Sequence, residues 1–296
     1  FMSDVERDFE IATPKHATPI SFVSAVQNTS DAETVEDVTV SVNVYRDGNL
    51  EFNLESNELD MEPGDIDVFD LEEEFLPQKV GHYEVIFEYK APTLGTFETV
   101  RDEFEISDSV WAKDDGHEYF NFIFLQVLTD STFTNASYGA QFDLETGDTL
   151  TGVHFSGFFL GNGFKFYVHE MQDPATVGPV LIGSDSTDFP DFTQDYYWEL
   201  ATPTYLPSGS YLFVAEKNDE AAIHAIGADS DNRTKTNWVF SPGLNIPFWA
   251  PIHFAFQDAD YMTLMIRPNF TPDIMTNTEN PEKQTPTLTI SPNPAS

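Results

Sequence analysis

The chain contains no cysteine. That absence excludes disulfide staples, thiolate metal sites and cysteine nucleophiles together, but it leaves the compartment open, because a large core holds without disulfides in an oxidising space. Positive charge is scarce as well: 13 Lys and Arg stand among 51 Asp and Glu in 296 residues, a formal net charge of −38. Nucleic-acid binding needs clustered cations to neutralise phosphates, and so few bases among so many acids build no such patch. The same imbalance repels anionic membrane surfaces. No apolar run approaches the roughly 18 to 20 residues of a spanning helix. The opening residues, Phe1 to Asp8, lack the basic and apolar regions of a signal peptide, so the chain reads as a mature segment or a piece cut from a longer one.

What is present is apolar surface to bury. Hydrophobic residues make up 40% and aromatic residues 14%, with 27 Phe and 11 Tyr, which a disordered acidic tail would not carry. The acid excess suits high ionic strength, where charges are screened within several Å, and it offers many carboxylates to divalent cations. It points to an exported protein from a salty or calcium-rich setting.

Alternation dominates the patterning, and no helical period is sustained. Val38, Val40, Val42 and Val44 share one face, Asp47-Gly48 supplies turn chemistry, and Leu50, Phe52 and Leu54 alternate again, which predicts a hairpin. Tyr83, Val85, Phe87 and Tyr89 form a further strand after Gly81. Short strands with regular turns predict an immunoglobulin-like β-sandwich over 1–108. From Trp111 glycine and aromatics become denser. Strands are predicted over 120–128, 138–144, 150–159, 164–169, 196–200, 211–215, 223–226 and 262–266, joined by long connections such as 173–195. That pattern predicts a jelly-roll β-sandwich over 109–270. The fold class is therefore all-β. A Pro- and Thr-rich linker occupies 271–286, and an alternating strand runs from 287 into Pro292-Asn293-Pro294. Acids outnumber bases by 27 to 6 in residues 1–108 and by 24 to 7 in the remainder, so the first sandwich carries −21 and the rest −17.

The chemistry-bearing residues point to binding. The seven histidines show no ligand spacing, and neither a Gly-x-Ser-x-Gly elbow, nor a P-loop, nor a dinucleotide fingerprint occurs, so no catalytic residue is assigned and no enzyme is expected. A glycosidase needs only two suitably spaced carboxylates, which so many acids supply by accident; spacing neither shows nor excludes one. Calcium is the cofactor the acids suit, and Asp185, Asp188, Asp191 and Asp195, read as one crowded loop, are its candidate ligands beside the alternative of solvated carboxylates. Tyr196, Tyr197, Trp198 and Trp249, with Tyr119 and Tyr205, are candidates for a glycan-stacking platform, the alternative being core packing.

Two resemblances follow from particular residues. The segment Thr287-Leu288-Thr289-Ile290-Ser291-Pro292-Asn293-Pro294-Ala295-Ser296 resembles the opening of the type A C-terminal sorting domain of the Bacteroidetes type IX secretion system; the later motifs of that domain are absent. The region before it, with Leu206-Pro207-Ser208-Gly209-Ser210-Tyr211 and Met265-Ile266-Arg267-Pro268-Asn269-Phe270, resembles the jelly-roll module found ahead of such domains. Residues 1–108, with Gln27-Asn28-Thr29-Ser30 and Gly81-His82-Tyr83, are similar in outline to CARDB-like adhesive modules. These resemblances imply an extracellular or cell-surface protein whose Pro292, Asn293 and Pro294 belong to a signal read by the type IX export machinery. Ser109, Ser131, Thr149 and Ser186, each after an Asp, resemble Bacteroidetes O-glycosylation sites. The expected function is adhesion or display without catalysis. The alternatives are a carbohydrate-binding module of a larger secreted enzyme, and a filament subunit assembled with like subunits by strand addition. Neither nucleic acid nor a transmembrane segment enters any of these readings.

Overall fold

A computed structural model describes residues 2–69, 71–114, 136–173, 176–217, 223–226, 228–229, 237–241, 246–251 and 263–272. Ser131, Tyr119, Pro292, Asn293 and Pro294 lie outside them. No helix long and apolar enough to cross a membrane occurs among the described residues. The fold is all-β.

The first half contains β1 (Met2–Glu6), β2 (Ile11–Ala12), β3 (Ser21–Gln27), β4 (Val35–Arg46), β5 (Asn49–Glu55), β6 (Leu59–Met61), β7 (Ile66–Phe69), β8 (Gly81–Ala91) and β9 (Gly95–Ile106). One sheet has the order β1-β3-β7; the other has β2-β9-β8-β4-β5, with β6 also on β4. With β1, β3 and β7 in the places of strands A, B and E, and β9, β8, β4 and β5 in those of G, F, C and C′, this is an immunoglobulin-type strand order. Val38, Val40, Val42, Val44, Tyr83, Val85, Phe87 and Tyr89 are all buried between the sheets, as their alternation requires. Leu50 is exposed instead, because the register shifts between Val44 and Tyr45 and turns it outward. Tyr83 opens β8 with its hydroxyl donating to the Lys79 carbonyl at 2.8 Å, the tyrosine corner of this fold.

The second half contains β10 (Ser137–Leu144), β11 (Asp148–Asp173), β12 (Thr176–Gly183), β13 (Thr187–Leu206), β14 (Gly209–Lys217), β15 (Ile223–Ile226), β16 (Ala228–Asp229), β17 (Asn237–Ser241), β18 (Ile246–Pro251), β19 (Thr263–Leu264) and β20 (Ile266–Phe270). β11 is one strand where the sequence predicts two. Its first part lies between β13 and β20, and its second part between β12 and β14. Gly161 and Gly163, at φ 111° and 81°, let it bend from one layer to the other without interrupting its pairing. The second layer continues β12-β11-β14-β10-β17-β18. Between the layers pack Phe155, Phe159, Phe164, Phe166, Phe189 and Trp198, with Phe155 and Phe166 at 4.8 Å. The connection expected over 173–195 is mostly β12 and the start of β13. Pro179 and Pro190 hide these strands in the sequence, and both belong to strands with exposed positions where a proline is tolerated.

The two halves share one seam. Residues 107–114 bond to both: Ile11 N and Ala112 N each donate to the other's carbonyl, while Trp111 N donates to Pro268 O and Phe270 N to Ser109 O. The buried Trp111 ring stacks on His16 at 4.9 Å and meets Phe142 edge-on at 5.1 Å. One apolar core runs through residues of both halves, from Val5 to Phe270.

Candidate binding face on the second sandwich

The outward face of β20, β11 and β13 gathers the polar and aromatic groups in cross-strand rows. Arg267, His154 and Tyr197 stand side by side in one row, and Asn269, Gly152 and Glu199 in the next. Cross-strand neighbours on one face sit about 5 Å apart at Cβ, so these side chains share one surface. The inward residues between them, Val153, Phe155, Trp198 and Ile266, are core.

Glycine shapes the face. A Cβ on Gly152 would collide with the Tyr197 phenol, whose Cζ would lie at 2.5 Å, and one on Gly147 would meet Tyr205 Cζ at 2.7 Å. The phenol tips therefore lie over Gly147, just before β11, and over Gly152, in space that any side chain would fill, and both side chains stay open to solvent: Tyr197 is 43% and Tyr205 63% exposed. The register shift between Leu150 and Gly152 brings the pairs Thr149↔Tyr205 and Gly152↔Glu199 to the same side of the sheet, so both rings face out while their neighbours Trp198 and Leu206 are buried.

The charges at this face are held in place. Asp114 is fully buried and takes the Arg267 guanidinium, with Nε 3.1 Å from each carboxylate oxygen and a further bond from Nη2. Ser156 Oγ donates to Asp195, a non-glycine residue held at φ 60° where β11 and β13 lose register. Burial pushes His154 below the ordinary imidazole range, and Arg267 acts in the same direction; Asp195 and Asp114 oppose it. At neutral pH His154 is an uncharged ring able to donate and accept.

Other expected site residues lie elsewhere. Trp198 is buried, its ring 6.2 Å from Phe166, so it is core and offers no stacking surface, and Tyr196, stacked on Phe166 at 4.8 Å, packs against the same core. Trp249 belongs to the other layer, 5.8 Å from His169, over a small apolar cluster of Leu212, Val214 and Trp238. Tyr197 and Trp249 therefore form no common platform. Asp188, Asp191 and Asp195 lie along β13, not in a loop, and extended chain rising about 3.3 Å per residue carries them apart. Asp185 precedes that strand, and Asp188 accepts from Gly163 N at 3.0 Å. No group of three or more His, Asp or Glu positioned to hold a metal ion occurs among the described residues. His154 and His169 lie on one strand, β11, and not on two. Of the hydroxyls after an Asp, Ser186 is exposed, while Ser109 and Thr149 are half-buried. Ser109 Oγ donates to Asp108 at 2.9 Å.

Neither a family model nor a curated protein matches this chain. Among solved structures it is similar to the cysteine protease and lectin-like domains of Cwp84, a surface-layer-associated protein of Clostridium difficile, at 9% identity and TM-score 0.36, covering 80% of this chain and 59% of that one. It is similar also to a Streptomyces avermitilis α-L-rhamnosidase solved with L-rhamnose, at 10% identity and TM-score 0.22, covering 81% and 23%. A third likeness is to a protein described among carbohydrate-binding modules of the β-sandwich superfamily, at 12% identity and TM-score 0.20, covering 84% and 98%. The chain thus spans less than two thirds of the first two. At such scores these likenesses assign neither family nor ligand.

Reasoning from the sequence identified Tyr197 and Tyr205 but missed His154, Glu199, Asn269 and Arg267, which become neighbours only through strand register. The available signal was glycine: Gly147 stands just before β11 and Gly152 within its first part, and glycine there marks close approach by another group.

Proposed function

We propose that the chain is a non-catalytic binding and display segment of a secreted or cell-surface protein, and that the β20-β11-β13 face binds saccharide. The observation that carries this reading is Tyr197, exposed by 43% with its phenol tip over Gly152, beside His154, Glu199 and Asn269. An aromatic face presents negative potential to the C–H bonds of a sugar ring, while flanking neutral and acidic groups engage its hydroxyls. The seam supports display, because a linker bonded to both sandwiches presents the face at a set angle. Export by the type IX machinery belongs to the same proposal and rests on the resemblance of residues 287–296. The test is a glycan array with the purified chain: binding lost in Tyr197→Ala with unchanged far-UV circular dichroism supports the reading. Silence across the array, or turnover of a polysaccharide abolished by one carboxylate substitution, overturns it.

A second reading, assembly with like subunits by strand addition, rests on β7. This strand lies at the edge of its sheet and exposes Ile66 by 66% and Val68 by 67%. Polymers that form with concentration and vanish in Val68→Lys support it; a monomer at all concentrations refutes it.

A further inference from the structure

We infer that the face takes an extended, uncharged polysaccharide along β13, with Tyr197 and Tyr205 as two separate stacking stations. The inference rests on the saccharide reading and adds chain length and charge to it. Both side chains are placed in the same way, each with its phenol tip over a glycine of the β11 side and much of its surface exposed. Gly147 and Gly152 are five residues apart with one register shift between them, so the stations lie roughly 15 Å apart at the rise of an extended strand. That span is too long for one sugar ring and matches about three in an extended chain, so a short ligand reaches one station and a longer ligand reaches both. The stretch between them, Ala201-Thr202-Pro203, is exposed and uncharged. At the Tyr197 end Asp114 neutralises Arg267, and His154 is neutral, which leaves Asp195 and Glu199 to set the local charge. With the chain at −38 overall, an anionic polymer meets repulsion there and no free guanidinium among these residues to offset it.

The experiment is isothermal titration with neutral β-1,4- and β-1,3-linked gluco-oligosaccharides and β-1,4-linked manno-oligosaccharides of two to seven units, with polygalacturonate as the anionic comparison. Affinity is expected to rise about tenfold between the shortest and longest neutral ligands as the second station engages. Tyr205→Ala removes that rise, while Tyr205→Phe, which keeps the ring, retains it. Because Tyr205 is largely exposed, its truncation leaves the core intact, and near-UV circular dichroism checks this. Affinity independent of length, a rise that survives Tyr205→Ala, or tighter binding of polygalacturonate overturns the inference while saccharide binding itself stands. Absence of binding at every length overturns both.

Discussion

His16 Nε2 lies 3.0 Å from Asp148 Oδ2, joining a side chain of the first sandwich to the start of the longest strand of the second. The His16 ring is sandwiched between Trp111 at 4.9 Å and Phe270 at 5.0 Å, and Lys15 reaches the other oxygen of Asp148 at 3.4 Å. A polar contact walled by aromatics specifies one docking geometry, since any displacement takes the His16 ring away from the buried Asp148 Oδ2. Trp111→Ala should remove the wall and destabilise the chain by about 3–5 kcal/mol, the usual range for truncating a buried aromatic. Calorimetry should then resolve two transitions in place of one. A single transition shifted downward would show that the halves couple by another route.

Breaking the Arg267–Asp114 pair tests how the binding face is held. Arg267→Met leaves the fully buried Asp114 carboxylate facing an apolar side chain, which should cost about 3–5 kcal/mol. The combined Arg267→Met and Asp114→Leu variant should recover much of that loss, because the charge and its desolvation disappear together. Urea denaturation of the single and double variants measures the coupling; losses that simply add would show that the two side chains act independently.

Tyr211 repeats in the second sandwich what Tyr83 does in the first. Each hydroxyl donates to the carbonyl four residues upstream, Tyr211 to Pro207 at 2.9 Å and Tyr83 to Lys79 at 2.8 Å, and each follows a Gly-x step into a strand. Tyr83→Phe and Tyr211→Phe should each lower stability by about 1 kcal/mol, with the pair additive because the corners lie in different sandwiches. Equilibrium unfolding of the three variants reads this directly. Unchanged midpoints would reduce the corners to incidental contacts.

The strand entries at Gly81-His82-Tyr83 and Gly209-Ser210-Tyr211 were legible in the sequence because they are local; the hydroxyl bonds that close the two corners were not. The alternation of Val38 to Val44 was legible too, where one sheet face meets the core and the other meets water. The continuity of β11 was not legible, since Gly157, Gly161 and Gly163 read as a break when they are a bend. The first part of β13 was hidden for the opposite reason: acids and Pro190 at exposed strand positions look like loop. At the binding face Tyr197 could be singled out, but its seat on Gly152 could not. The register joining them is bounded by shifts at Leu150/Gly152 and Phe155/Phe158, set by packing across the whole sheet and not by local residue preferences.

The depressed pKa of His154 links this face to acid stability. Burial, and then Arg267, disfavour the imidazolium in the folded chain, so the folded value lies below the roughly 6.5 of an unfolded histidine. Between those two values the unfolded chain binds the extra proton. The contribution is therefore fully present above about pH 6.5 and is lost as pH falls through the folded value. His154→Gln keeps a donor and an acceptor but cannot titrate. Its melting temperature should fall less than that of the native chain between pH 7 and pH 5, and saccharide affinity at Tyr197 should follow the same difference. Parallel melting curves for the two proteins would place the acid sensitivity on other groups. A parallel loss of affinity with diverging melting curves would separate the stability of the face from its binding, leaving His154 as a support of the sheet and not a contact for ligand.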